Sequence, residues 1–150
     1  MLFAIIKWIH VLAAITAVGA NLTYAVWIAR ASREPAALPF VLRTIRAIDN
    51  RVANPCYGVL LLTGLAMVLL IPLPLTTAWL LAAILLYVLA AVLGIVAYTP
   101  VIKEQIRLLE SAGLDAPGYA EAARKGRWLG ILVTLDVVVI VFLMVVKPAL

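Results

Sequence analysis

His10 is the only histidine in 150 residues, and Asp136 is the only acidic residue inside any of the four long apolar runs. An imidazole can carry a proton near neutral pH or ligate haem iron. A carboxyl in an apolar helix can hold a proton or a cation, and placing it there costs roughly 2.5–3.5 kcal/mol on insertion scales. Each residue also has a simpler reading. His10 shares a helical face with Lys7, Ala14, Ala17, Asn21 and Tyr24, at steps of three or four, so it can hydrogen-bond a neighbouring helix over small residues. Asp136 can be a helix-to-helix anchor of the kind worth about 0.6–2 kcal/mol in membranes.

Depth selects the partners. Asp136 lies about eight residues from Trp128 at the basic end of its run, and Asn21 lies about eight residues from Ala29 on the first. His10 is about eleven residues further along, roughly 16 Å at 1.5 Å per residue and beyond hydrogen-bond reach of Asp136. The expected polar core of the bundle is therefore Asn21 paired with Asp136, with Thr63 or Tyr87 as further members. Tyr87 shares its face with Ala91, Gly94 and Tyr98. His10 is the one candidate cofactor ligand.

Other residues have plainer roles. Trp8, Trp27, Trp79 and Trp128 fall near the ends of the apolar runs, where aromatic belts form. A single cysteine, Cys56, excludes an internal disulfide and any cysteine-cluster metal site. Met67 and Met144 have no spacing suited to copper. No phosphate-cradling glycine loop, zinc motif, nucleophile elbow or carboxylate pair is present, so no catalytic residues are assigned and an enzyme is not the favoured reading.

Composition dictates the elements that hold these residues. The chain is 67% hydrophobic and 13% charged, with a mean hydropathy of +1.17. Soluble domains carry roughly 45–50% apolar and about 25% charged residues. Four apolar runs predict an all-α polytopic membrane protein with crossings at about 3–29, 54–72, 77–98 and 128–147. Strands of a membrane barrel would alternate polar and apolar residues, which these runs do not. The first run has no basic residue before it and is too long for the core of a signal peptide, so it reads as a retained helix.

Arg30, Arg33, Arg43, Arg46 and Arg51 lie between the first two runs; Lys103, Arg107, Arg124, Lys125 and Arg127 lie between the last two. By the positive-inside rule both connections face the cytoplasm and both termini lie outside, in a bacterial cytoplasmic membrane. The net charge of +5 follows this topology and does not call for nucleic acid. Val41, Ile45, Ile48 and Val52 recur at helical spacing, predicting an amphipathic helix on the membrane surface or as an extension of the second crossing. Thr99-Pro100 reads as a helix start, Gly113 as its stop, and Asp115 before Pro117 as the next start.

Lys7-Trp8-Ile9-His10-Val11-Leu12, Gly19 and the closing Phe142-Leu143-Met144-Val145-Val146-Lys147-Pro148 together resemble the small bacterial predicted integral membrane proteins grouped as domain of unknown function 2269. That resemblance covers nearly the whole chain and implies no activity. The His-Val-Leu opening is similar, more distantly, to the first helix of copper-resistance D proteins and HemJ-type protoporphyrinogen oxidases. The HemJ likeness implies a haem role at His10, although the Trp-x-Gly that usually follows reads Ala17-Val18-Gly19 here and a second histidine is lacking. Three functions stay open: a structural or assembly partner in the bilayer, alone or as a homo-oligomer; a haem- or quinone-binding redox module using His10; and a small proton- or cation-coupled transporter using Asp136.

Overall fold

A computed structural model describes residues 1–148. The elements are α1 (Leu2–Ala31), α2 (Leu38–Ile48), α3 (Asn54–Leu70), α4 (Ala78–Val92), α5 (Thr99–Ala112) and α6 (Tyr119–Val146). There is no strand among the described residues. Four helical rods are long and apolar enough to cross a membrane: Leu2–Ala31, Pro35–Leu70, Ala78–Asp115 and Tyr119–Val146.

Two of these rods are far longer than a bilayer needs. At 36 and 38 residues they extend about 54 and 57 Å, against roughly 30 Å of hydrocarbon. Each is two helices joined by a π-helical stretch, Asp49–Ala53 between α2 and α3 and Leu93–Tyr98 between α4 and α5. Both stretches end just before an X-Pro pair, Asn54-Pro55 and Thr99-Pro100. Proline has no N–H, and its ring crowds the carbonyl four residues back, so a widened turn absorbs the conflict without breaking the rod. The backbone N–H groups of Asn54 and Thr99 reach back five residues to the carbonyls of Asp49 and Gly94. Thr99 begins α5 inside a continuous helical rod, without the N-cap role its sequence suggests. Its hydroxyl instead donates to the Gly94 carbonyl at 2.8 Å within the continuing rod.

The amphipathic segment resolves in the same way. α2 is the extension of α3, not a helix lying alone on a surface, and it packs against α5. Leu38, Val41, Leu42 and Ile45 of α2 meet Ile102, Ile106 and Leu109 of α5, closed off by Tyr24, Ala31, Ala116 and Tyr119. Leu42 and Ile45 are 1% exposed; burying side chains of this size contributes about 1.5–3 kcal/mol each where the alternative is water. Arg43 adds an exposed ion pair to Glu110 at 2.7 Å across the same contact.

Outside this basic-end core the packing is sparser. α1 runs along α3, α4 runs along α6, α1 touches α6, and α3 and α4 scarcely meet. α3 has no buried residue at all. Contacts between apolar helices in lipid depend on close approach of small residues, and α1 supplies them with Ala13 and Ala17, the latter fully buried. Outward faces are apolar: Leu62, Leu69, Leu85, Ile95 and Val96 are all exposed.

The turns are set by proline and glycine. Ile71 is extended because Pro72 follows it, ending α3 at Leu70. Gly113, at φ +69°, stops α5, and Gly118, at φ +87°, precedes α6; side chains rarely adopt such angles. At the opposite end Lys147 places its ammonium 5.4 Å from the Trp79 ring centre, tying the end of α6 to the start of α4.

Candidate functional site

The polar side chains inside the bundle form three levels along α1. Furthest from the basic end, His10 Nδ1 and Thr63 Oγ1 of α3 are 2.8 Å apart. The Thr63 hydroxyl also lies 2.6 Å from the Val59 carbonyl. The donor in the shared bond is set by the imidazole tautomer; the bond orients the ring through Nδ1 and leaves Nε2 outside it. Gly64 makes room for the imidazole: a Cβ there would sit 3.4 Å from His10 Cε1. His10 is half-buried and faces protein, and the small stripe beneath it uses Ala13, together with Ala17, where the sequence suggested Ala14.

At the middle level Asn21 Nδ2 donates to the Tyr57 hydroxyl, in a short contact. The Tyr87 hydroxyl of α4 donates to the Tyr57 backbone carbonyl at 2.8 Å. Asp136 of α6 is 9% exposed and within electrostatic reach of Tyr57. Its Oδ2 is buried without a hydrogen-bond partner among the described residues. Nearest the basic end, the buried Tyr24 donates to Asp49 Oδ1 at 2.9 Å, joining α1 to the first π stretch. Tyr98, from the second π stretch, lies in electrostatic range of Asp49 and rests against α6, where a Cβ on Gly130 would meet its ring at 3.7 Å.

The direct hydrogen bonds at the level of the expected polar core run through Tyr57. No hydrogen bond joins Asn21 to Asp136, because the Tyr57 phenol, projecting from α3, engages the Asn21 amide instead. Of the two further members expected, Thr63 bonds His10, about three helical turns along α1 from Asn21, and Tyr87 bonds the Tyr57 carbonyl. Tyr57, Tyr24 and Asp49 were not singled out as site residues. The available signal was Tyr57, a phenol close to the Asn54-Pro55 entry of α3 and in reach of the level of Asn21.

Cys56 is half-buried and free, and no cluster of three or more His, Cys, Asp or Glu side chains suited to a metal occurs among the described residues. Two chemistries are available to the groups present. His10 offers one oriented nitrogen, and Asp136 offers a carboxyl oxygen with nothing bound to it.

Comparison with known proteins supplies the family. A model for predicted integral membrane proteins, domain of unknown function 2269, matches residues 4–148. The chain belongs to this family. No curated protein and no solved structure matches it. It is an integral membrane protein of helices, with the lipid bilayer as its surroundings.

Proposed function

We propose that this protein handles protons or monovalent cations within the membrane, with Asp136 as the working group. The carrying observation is the orphaned Oδ2. A carboxyl retained only to anchor helices would have its oxygens bonded, because an unmet polar atom in an apolar bundle is costly. Asp136 is instead buried, with Oδ2 unpartnered, and in electrostatic range of Tyr57, the centre of the Asn21–Tyr57–Tyr87 network, whose phenols and amide can accept and donate polar contacts. Away from the α2/α5 core the α1/α3 and α4/α6 pairs meet loosely, which supports the same reading, since a site there can open while that core holds the two pairs together at the basic end. In this reading the basic connections lie in the cytoplasm and both termini outside the cytoplasmic membrane.

Infrared difference spectroscopy of the protein in lipid, stepping pH or adding Na⁺ or K⁺, tests this. A carboxylic-acid band that responds to the step and vanishes in Asp136→Asn supports the reading; identical difference spectra for the two proteins oppose it.

A second reading has its own observation. Thr63 holds the His10 ring through Nδ1 and leaves Nε2 outside that bond, the usual arrangement of a metal-binding histidine whose other nitrogen is held. His10 would supply one axial ligand to a haem, and the sole histidine excludes a second from the same chain. An absorption spectrum of protein purified after expression with haem supply decides it: a Soret band lost in His10→Ala favours this role, and its absence removes it.

A further inference from the structure

We infer that the outward face of α1 at the basic end is a binding site for an anionic phospholipid, with Arg30 and Arg33 holding the phosphate and the residues beneath them lying along an acyl chain. Ile15, Gly19, Leu22, Val26, Arg30 and Arg33 follow one another at steps of three or four, so they form one stripe on the helix. The Arg33 N–H bonds to the Arg30 carbonyl, which carries the helical turn past the end of α1 and keeps both guanidinium groups on that stripe. Ile15, Leu22 and Val26 are at least half exposed. Gly19 opens a notch between them, with nothing within 4 Å of where its Cβ would be.

The surface directly below the arginines is concave. Ala25, Val26, Ala29, Arg30 and Arg33 line a shallow depression whose floor is apolar because two of its members are alanines. Neither arginine has an ion-pair partner among the described residues, in contrast to Arg43 and Arg107, which hold Glu110 and Glu104. Exposed Trp27, on the same turn, marks this as the level of the membrane–water interface. Two free guanidinium groups at headgroup level match a phosphate, which they can grip through paired N–H donors. The apolar track continues from there into the hydrocarbon. The occupant must therefore carry a phosphate and an acyl chain together, as an anionic lipid does, and a soluble phosphate or a protein segment fits only part of the stripe.

Native mass spectrometry of the intact protein released from mild detergent, after mixing with phosphatidylglycerol or with phosphatidylcholine of the same chains, tests the site. The wild type is expected to retain phosphatidylglycerol with a preference of about tenfold or more, as two interfacial arginines allow. Arg30→Gln/Arg33→Gln should lose that preference, while Arg124→Gln/Lys125→Gln, with the same change in net charge, should keep it. Ala25→Leu/Ala29→Leu fills the depression on an exposed face, leaves both arginines, and should also weaken retention. Undiminished preference in the first variant, undiminished retention in the third, or an equal loss of preference in the second, overturns the proposal.

Discussion

The Tyr87 hydroxyl donates to the backbone carbonyl of Tyr57 at 2.8 Å, a direct polar link between the α1/α3 pair and the α4/α6 pair. Because α3 and α4 scarcely touch otherwise, this bond has influence beyond its size. Tyr87→Phe removes the donor and little else. It should lower thermal stability in detergent by about 0.5–1.5 kcal/mol and widen the separation of spin labels placed on α3 and α4. An unchanged label distance would mean that the α2/α5 core alone sets the spacing of α3 and α4 and that the Tyr87 bond has no such influence.

The His10–Thr63 bond predicts a measurable coupling. In a double-mutant cycle with His10→Ala and Thr63→Val, the interaction energy should be about 0.6 kcal/mol and no more than about 1.7 kcal/mol, the range found for hydrogen bonds between membrane helices. Thr63→Ser should recover most of it, because the hydroxyl is retained. A coupling of zero would show that the two side chains do not meet.

Close packing of α5 on α6 depends on Gly126. A Cβ at this position would run into the Gln105 side-chain amide, and Gln105 is itself buried. Alanine favours a helix over glycine by about 0.8–1.0 kcal/mol, and the Gln105 amide is the end of a flexible side chain that can give way. Gly126→Ala should therefore cost less than the roughly 1–3 kcal/mol typical of overpacking, the loss being set by displacement of Gln105. Shortening the neighbour in Gln105→Ala/Gly126→Ala should restore stability relative to Gly126→Ala alone. Thermal unfolding of the three variants checks the order.

Topology is tested by chemistry from outside the cell. With Cys56 replaced by alanine, single cysteines at Arg33 and Ser111 should resist an impermeant thiol reagent in intact cells and react after lysis. Labelling of both in intact cells would reverse the orientation.

The architecture was readable because apolar length and basic clustering are properties of segments, and four such segments need no knowledge of one another. The small stripe through Ala17 was legible for the same reason: it is a periodicity within one helix. What sequence reasoning missed depends on rotation and reach. Counting from the helix ends put Asn21 and Asp136 at one depth, but depth leaves open which way each side chain points, and Tyr57 projects from a third helix to engage Asn21 first. Thr99-Pro100 carries the pattern of a helix start; only the neighbouring packing of α5 on α2 and α6 makes a continuous rod with a π stretch the better solution. Asp49 reads as a solvated face residue of an amphipathic helix, yet it follows the buried Ile45 by one helical turn, and the phenol of Tyr24 reaches it from α1.

The orphaned carboxyl of Asp136 is the centre of the functional reading, and ion flux tests it most directly. Purified protein in liposomes loaded with a pH-sensitive dye should carry protons, or exchange them for Na⁺ or K⁺, when a gradient is imposed. Asp136→Asn keeps the size and hydrogen-bonding capacity of the side chain and removes its charge; it should abolish the flux while leaving the unfolding temperature essentially unchanged. Wild-type vesicles no faster than empty ones, or an Asp136→Asn protein as fast as wild type, would contradict a proton- or cation-handling role for Asp136.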